Sequence, residues 1–531
     1  MAKTTEEKRY EGLSPFELKN KLIEMAGSDP ERMMLNAGRG NPNWVATIPR
    51  YAFFLLGTFA LEEAHLVLSR PGIAGTPESK GIGGRLLDFC RNHSELIGSQ
   101  FLADSYKYAT ETLGLQGDSF VVEMVDGILG DYYPTPDRVL KNTEEILRAY
   151  LDNTMCNGEP PEGTMDIFAV EGGTAAMTYI FNTLKENFLI NPGDKIALGT
   201  PIFTPYLEIP TLNDYELVVL DIRMDENNNW QYPDSELDKL SDPSVKAFFV
   251  VNPSNPPSTS VARESLEKIA DLVQTRRKDL IILTDDVYGT FVNGFKSLAT
   301  IAPENTILVY SFSKYFGATG WRLGVIGIYR DNVMDRMIAG LPRDKRRSMH
   351  RRYESISPDP DNIKLIDRLV ADSRAVALNH TAGLSTPQQV MMVLFAFQEL
   401  LDSDSHLYRK EVQDIVRERY EALYKSINIE APELPCYAMY YTTIDIPRLA
   451  ERRFGKDFVL WLESAYEPID FVWNLADKKG VVLMDGGGFA APEMSVRVSL
   501  ANLFKNDYTK IGKAISELLA EYYDTWKRSG K

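Results

Sequence analysis

Lys314 stands in Ser311-Phe-Ser-Lys-Tyr-Phe-Gly-Ala-Thr-Gly-Trp-Arg322-Leu-Gly324, directly after the apolar run Thr306-Ile-Leu-Val-Tyr310. A short run of β-prone apolar residues predicts a buried strand, so this lysine follows a core strand almost at once. Desolvated there beside a second cation, its amine loses pKa and becomes a nucleophile. Arg322 and the serine hydroxyls suit a phosphate, because a guanidinium meets phosphate oxygens bidentately. A nucleophilic lysine beside a phosphate anchor points to pyridoxal 5′-phosphate carried as a Schiff base. The competing reading is an ordinary surface loop with a chance Ser-x-x-Lys.

Four further stretches each follow a predicted strand. Gly172-Gly-Thr174 comes after Ile167–Val170 and opens a helix, whose free amides and dipole favour an anion. Asn252-Pro-Ser-Asn-Pro-Pro257 comes after Ala247–Val251; its prolines fix a loop that offers the Asn255 amide to a planar acceptor. Thr284-Asp-Asp-Val-Tyr288 comes after Leu280–Leu283. A carboxylate there can pair with a protonated pyridine nitrogen, with Tyr288 in reach of a ring hydroxyl; Asp285 and Asp286 also read as a helix N-cap pair. Phe203, after Lys195–Leu198, is either a ring that stacks on a flat cofactor or a core aromatic. Near the N-terminus, Asn36-Ala-Gly-Arg-Gly-Asn-Pro-Asn-Trp44 sets Arg39 between two glycines, as a turn residue or as a cation shown to a ligand.

These stretches need a scaffold that brings strand ends together. The middle of the chain alternates short apolar strands, among them Leu217–Leu220 and Leu323–Ile328, with helices such as Arg263–Gln274. That pattern predicts an α/β fold: a mostly parallel sheet, helices on both faces, ligands at the carboxyl ends of the strands. Earlier, Ser14-Pro15 caps a helix to Ala26, 51–130 is mostly helical, and an amphipathic helix runs over about 137–153. Helices over about 385–402 and up to Ser426, then Met439–Asp445, Val496–Leu500 and a terminal helix, read as a smaller α+β unit. The expected division is 1–60 as N-terminal arm and part of the small domain, 61–385 as the large cofactor-binding domain, and 386–531 as the C-terminal small domain.

With 531 residues the chain is too long for one ordinary core. A net charge of −17 argues against nucleic acid as a partner. Three dispersed cysteines and five scattered histidines give neither a disulfide framework nor a metal site, and a reducing cytoplasm is the expected compartment. The polar N-terminus lacks an export signal. Ala52–Leu61 is too short to span a bilayer and predicts a core or subunit-interface helix. The basic stretch Arg343–Arg352 reads as a solvated face or an oligomer contact.

In order and spacing, Gly173-Thr174, Phe203, Asn255, Asp285 with Tyr288, Ser311, Lys314, Arg322 and Arg497 resemble the fold-type I pyridoxal-phosphate enzymes, in particular the class I aspartate aminotransferase group. The resemblance covers about 36–503. It implies that Lys314 carries the cofactor, Asp285 holds its pyridine nitrogen, and Asn255 with Tyr288 its ring oxygen. Ser311, Arg322, Gly173 and Thr174 would cradle the phosphate, and Arg497 would clamp the substrate α-carboxylate. It also implies a homo-oligomer, a dimer at least, in which Tyr132 or Tyr133 of Asp131-Tyr-Tyr-Pro134 reaches the neighbouring phosphate.

Departures from the group concern the reaction. Asn255-Pro-Pro-Ser replaces the usual Asn-Pro-Thr-Gly, and insertions stand near 60–125 and 343–374. These resemble the bacterial aspartate 4-decarboxylase branch, which implies β-decarboxylation of L-aspartate to L-alanine and CO2, a side transamination with a keto acid, and a large assembly such as a dodecamer. Arg39 beside Gly40 is then expected at the distal carboxylate, with Thr381 or Ser385 bordering the substrate. The alternatives are an aminotransferase without decarboxylation and an inactive binding protein of the same fold.

Overall fold

The computed structural model describes residues 10, 13–28, 33–380, 382–402, 405–432 and 435–529. Its centre is a sheet of seven strands: β1 (Met165–Val170), β2 (Lys195–Thr200), β3 (Val218–Arg223), β4 (Val245–Val251), β5 (Ile281–Asp285), β6 (Thr306–Ser311) and β7 (Gly324–Tyr329). Their order is β1-β7-β6-β5-β4-β2-β3, and every pairing is parallel except those of β7 with β1 and β6. The inner strands are buried on both faces, their side chains alternating between two packed layers, whereas the edge strand β3 leaves Val218 and Arg223 exposed. Phe249, Ile281 and Leu283 pack in one cluster, whereas Phe248, Val250 and Ile282 pack in another on the opposite face.

The sheet sets the site by register. Gly324 pairs with both Val170 and Ser311, so the antiparallel β7 begins where β1 and β6 end. Arg322, just before β7, therefore shares an edge with the loops after the parallel strands. A second sheet, with β8 (Tyr441–Asp445), β9 (Met484–Asp485) and β10 (Ser495–Ser499), is antiparallel in the order β8-β10-β9.

Five helices matter here: α1 (Pro15–Ala26), α2 (Ile48–Val67), α3 (Gly173–Glu186), α4 (Thr386–Leu400) and α5 (Leu407–Ser426). Ser14 caps α1 by accepting the Glu17 amide at 3.4 Å. Leu18 and Leu22 of α1 join the core of the second sheet, together with Tyr420 and Leu423 of α5. By contrast α4 packs wholly with the large sheet's helices, although the expected boundary lies at 385, and α5 contributes Val412 and Val416 to the large core as well. The chain passes between the cores along α5 because its apolar stripe is long enough to serve both. The expected helix over 137–153 starts later, at Lys141. Before it, Arg138 is taken up in ion pairs with Glu144 and Asp166, which hold that stretch off the helix axis.

The Ala52–Leu61 run lies in α2, with Leu55, Leu56 and Phe59 buried while Phe54 and Leu61 are exposed. The first stretch expected as an insertion contains helices Ile82–Asn92, Ser99–Lys107 and Gly117–Leu129, and the second contains Arg343–Tyr353 and Leu365–Ser373. Among the described residues, no helix is long and apolar enough to cross a membrane.

Candidate active site

A cavity of about 330 Å³ opens at the carboxyl edge of the large sheet, against the second sheet. Its wall brings together Gly40, Gly173, Thr174, Phe203, Asn255, Asp285, Tyr288, Ser311, Lys314, Arg322 and Arg497. One end is built by the Gly172 turn, β6 and the start of β7. Gly172 has φ +90, and a Cβ there would stand 2.6 Å from Arg322 Nη2. That glycine lets the guanidinium close over the first turn of α3, whose amides point the same way. Arg322 donates to the Glu171 carbonyl at 3.0 Å and the Thr319 carbonyl at 3.2 Å. The Ser311 and Ser313 hydroxyls are 3.0 Å apart beside it. Thr174 and Arg322 are exposed, so this end is open to solvent in the single chain.

At the floor, Asp285 is buried and ends β5. Burial raises its pKa to about 6, opposed by the Val287 amide, the Tyr206 hydroxyl and the charge of Lys314. Tyr206 donates to Asp285 Oδ2 at 3.3 Å, and the Val287 amide to Oδ1 at 3.4 Å. No α-helix starts here, so the two aspartates are not an N-cap pair. Asp286 lies behind the wall, taking the Thr284 hydroxyl, and burial pushes it to about 8. Lys314 Nζ donates to the Gly40 carbonyl at 3.1 Å, which also accepts the Tyr440 hydroxyl at 2.7 Å. The next carbonyl, of Tyr315, is held by the Trp44 indole at 3.1 Å and the Tyr408 hydroxyl at 2.8 Å.

The third side belongs to β10. Arg497 is 1% exposed and donates to Asn255 Oδ1 at 3.2 Å, the Gly38 carbonyl at 2.9 Å and Met484 Sδ at 2.7 Å. Its Nε has no partner, and no carboxylate among the described residues pairs with it. Burial lowers its pKa, but a guanidinium stays charged. A buried cation without a counter-ion is costly and is kept where an anion is to be bound.

Several expected residues lie elsewhere. Arg39 is exposed and does not line the cavity; its neighbour Gly40 does. Arg39 instead lies near Lys19 of α1, whose pKa falls through burial and the charges of Arg39 and Arg497. Tyr132 and Tyr133 are 56% and 67% exposed, away from this chain's own cavity. Ser385 bonds Gln388 at the head of α4, and Thr381 lies outside the described residues. Sequence reasoning missed Phe16, Tyr206, Ser313, Thr319 and Tyr441 on the wall. Ser313 and Thr319 flank Lys314 within the motif already singled out, and Tyr206 ends the Phe203 loop. For Phe16 and Tyr441 no local signal existed, since both come from outside the large sheet.

The cavity fits pyridoxal 5′-phosphate part by part. The Gly172 cradle with Arg322 matches a phosphate, the buried Asp285 a pyridinium nitrogen, Tyr288 and Asn255 a ring oxygen, and Lys314 an aldehyde carbon. The unpartnered Nε of Arg497 adds an anion site beside them.

The family model for aminotransferases of class I and II matches residues 164–515. Over 521 residues the chain is 49% identical to a bifunctional aspartate aminotransferase and L-aspartate beta-decarboxylase of a Pseudomonas species, covering 98% of both. It is 23% identical to an asparagine–oxo-acid transaminase of Streptococcus mutans, over 62% of this chain and 71% of that one. Among solved structures, a Thermus thermophilus aspartate aminotransferase double mutant superposes with a TM-score of 0.60 at 16% identity, covering 98% of this chain and all of the other. An aromatic aminotransferase of Pyrococcus horikoshii gives 0.58 at 18% identity, over 95% of this chain and 99% of that one.

Proposed function

The chain belongs to the class I and II aminotransferases, and from that premise we propose that it is a pyridoxal-phosphate enzyme converting L-aspartate to L-alanine and CO2, with aspartate transamination as a second activity. The observation that carries this reading over plain transamination is the end-to-end match to the bifunctional Pseudomonas enzyme. Arg497, buried and without a carboxylate partner, supports an amino-acid substrate.

The proposed roles follow the geometry. Arg497 fixes the α-carboxylate through its fork and Asn255 steadies that guanidinium. Gly173, Thr174, Ser311 and Arg322 hold the phosphate; Asp285 faces the ring nitrogen; Tyr288 and Asn255 face the ring oxygen; Phe203 covers the ring. When bound, the cofactor supplies a conjugated ring that accepts electrons from the carbons next to its linked nitrogen. Lys314 Nζ is the base that takes the Cα proton, and the Gly40 carbonyl is the acceptor that parks its N–H at 3.1 Å. As CO2 leaves, the C–C pair stays on Cβ, which then takes up a proton, and Lys314 returns a proton to Cα, so that alanine is released. Phe16, Met177, Phe203 and Tyr441 give the cavity an apolar lining that keeps water from hydrolysis, the branch toward transamination. Arg39, exposed beside Gly40 and near Lys19, stays the proposed contact of the distal carboxylate, and its positive charge suits a substrate with two carboxylates. Thr381, outside the described residues, stays a proposed border of the substrate.

We also propose a homo-oligomer, a dimer at least and a dodecamer as the larger assembly. The phosphate end is open in one chain, and exposed Tyr132 or Tyr133 of a second chain is the group to close it. The exposed Phe54 and Leu61 of α2 support a covered face there. Three free cysteines support a reducing, cytoplasmic setting.

The deciding experiment gives the holoenzyme L-aspartate without any keto acid. Steady release of CO2 and alanine is expected, and Lys314→Ala should abolish it together with the visible absorbance. Turnover that stops after one equivalent and resumes only on adding a keto acid would leave a plain aminotransferase.

A further inference from the structure

Tyr441, at the head of β8, is 3% exposed and touches two parts of the site at once. The Arg497 guanidinium lies 4.4 Å from the centre of its ring. Its hydroxyl accepts from the Tyr288 hydroxyl at 3.2 Å, the two rings meeting edge to face at 5.5 Å. The Tyr441 amide donates to Ser258 Oγ at 2.8 Å, which ties β8 to the loop carrying Asn255. Opposite stands Gly40: a Cβ there would be 2.3 Å from the Tyr441 hydroxyl and 3.3 Å from Lys314 Nζ. Only glycine allows tyrosine and lysine to flank the same backbone point.

We propose that Tyr441 is a positioning residue that couples Arg497 to Tyr288, so that charge at the carboxylate clamp is felt at the cofactor's ring oxygen; this rests on the function proposed above. A cation over the ring draws electron density from the phenol and strengthens its hydroxyl as a donor. When the Tyr288 proton serves the ring oxygen, Tyr441 donates to the Tyr288 oxygen, and such a chain polarises each member. Tyr288 becomes the stronger donor, the ring oxygen keeps its negative charge, and the cofactor's linkage to Lys314 holds its proton less tightly. A substrate carboxylate on Arg497 neutralises the cation and relaxes that pull. The ionisable groups facing Tyr441 are Tyr288, Tyr440 and Arg497, with Lys314 across Gly40, Asp285 on the same cavity wall and Arg419 behind Tyr440.

The test is a pH titration of the visible absorbance of the Lys314-bound cofactor in the holoenzyme. Tyr441→Phe keeps the ring and removes the hydroxyl, so the protonation midpoint should rise by about half a pH unit. Tyr288→Phe, as the direct contact, should raise it further. Tyr441→Leu also removes the ring from under Arg497, and KM for aspartate should then rise about threefold or more beyond Tyr441→Phe. A midpoint unmoved in Tyr441→Phe but raised in Tyr288→Phe overturns the coupling. A midpoint unmoved in Tyr288→Phe, or a parent protein without the absorbance, overturns the functional reading instead. Should Tyr441→Leu fail to fold, the phenylalanine variant alone decides.

Discussion

Replacing Arg497 separates the price of its burial from its use. Its guanidinium, with Nε unpartnered, would hold a carboxylate through two charge-assisted hydrogen bonds, each worth about 1.5–3 kcal/mol. Losing both in Arg497→Met removes about 3–6 kcal/mol from the transition state, a fall of roughly 150- to 25,000-fold in kcat/KM for aspartate. Arg497→Lys keeps the charge without the fork, so it should fall between the two. Stability should behave differently. The methionine variant removes a buried charge with no carboxylate partner, which favours folding, while the Gly38 carbonyl and Asn255 Oδ1 lose a donor at about 1–3 kcal/mol each. These oppose each other, so the unfolding free energy should stay within about 2 kcal/mol of the parent. The assay is CO2 release over a range of aspartate concentrations, with cofactor content read by absorbance and stability by urea titration. A kcat/KM within about tenfold of the parent, at full cofactor content, would refute Arg497 as the carboxylate clamp.

Gly40→Ala should fold and bind cofactor yet lose at least about tenfold in kcat, since its Cβ would press on Tyr441 and Lys314; parental kcat would show that the flanking side chains give way. Asp286 has a folded pKa of about 8 against an ordinary 3.8. Between those values the folded chain holds the extra proton, so this residue's contribution to stability is full in acid and declines as pH rises from about 4 to about 8. Asp286→Asn removes that slope: the variant should gain on the parent between pH 5 and 8, by no more than about 5 kcal/mol. Thermal melts of both proteins at the two ends check it, and parallel melts would refute the buried charge.

The large sheet was legible because most of its strands are short apolar runs closed by a Gly, Pro, Asp or Ser turn; the edge strand β3, which carries Asp221 and Arg223, was read only to Leu220. Leu280–Leu283 and Thr306–Tyr310 needed no context beyond their own residues. Lys314, Asp285, Asn255 and Arg322 were legible for the same reason, as polar residues set against such runs. Tyr441 was not, because it is one of many tyrosines and its meaning comes from Arg497 and Tyr288 across the fold. Arg39 was harder to place: the glycines that mark the turn were read as serving the arginine, whereas Gly40 itself forms the wall and the arginine lies off it. The start of the helix at Lys141 was displaced by ion pairs of Arg138 to Asp166 and Glu144, contacts no periodicity records.

The cavity wall runs from Phe16 to Arg497 in the chain, and this bears on how the protein is made. On a ribosome adding about 5–20 residues per second, roughly 25–100 s separate the emergence of these two residues. From the emergence of Tyr329, the end of the last strand of the large sheet, about 8–34 s remain in which that sheet exposes the edge that β10 and β8 will cover. Over the whole interval the cofactor has no complete set of contacts to meet. Cofactor binding thus marks the end of synthesis, and by mass action it stabilises the finished chain over every shorter one.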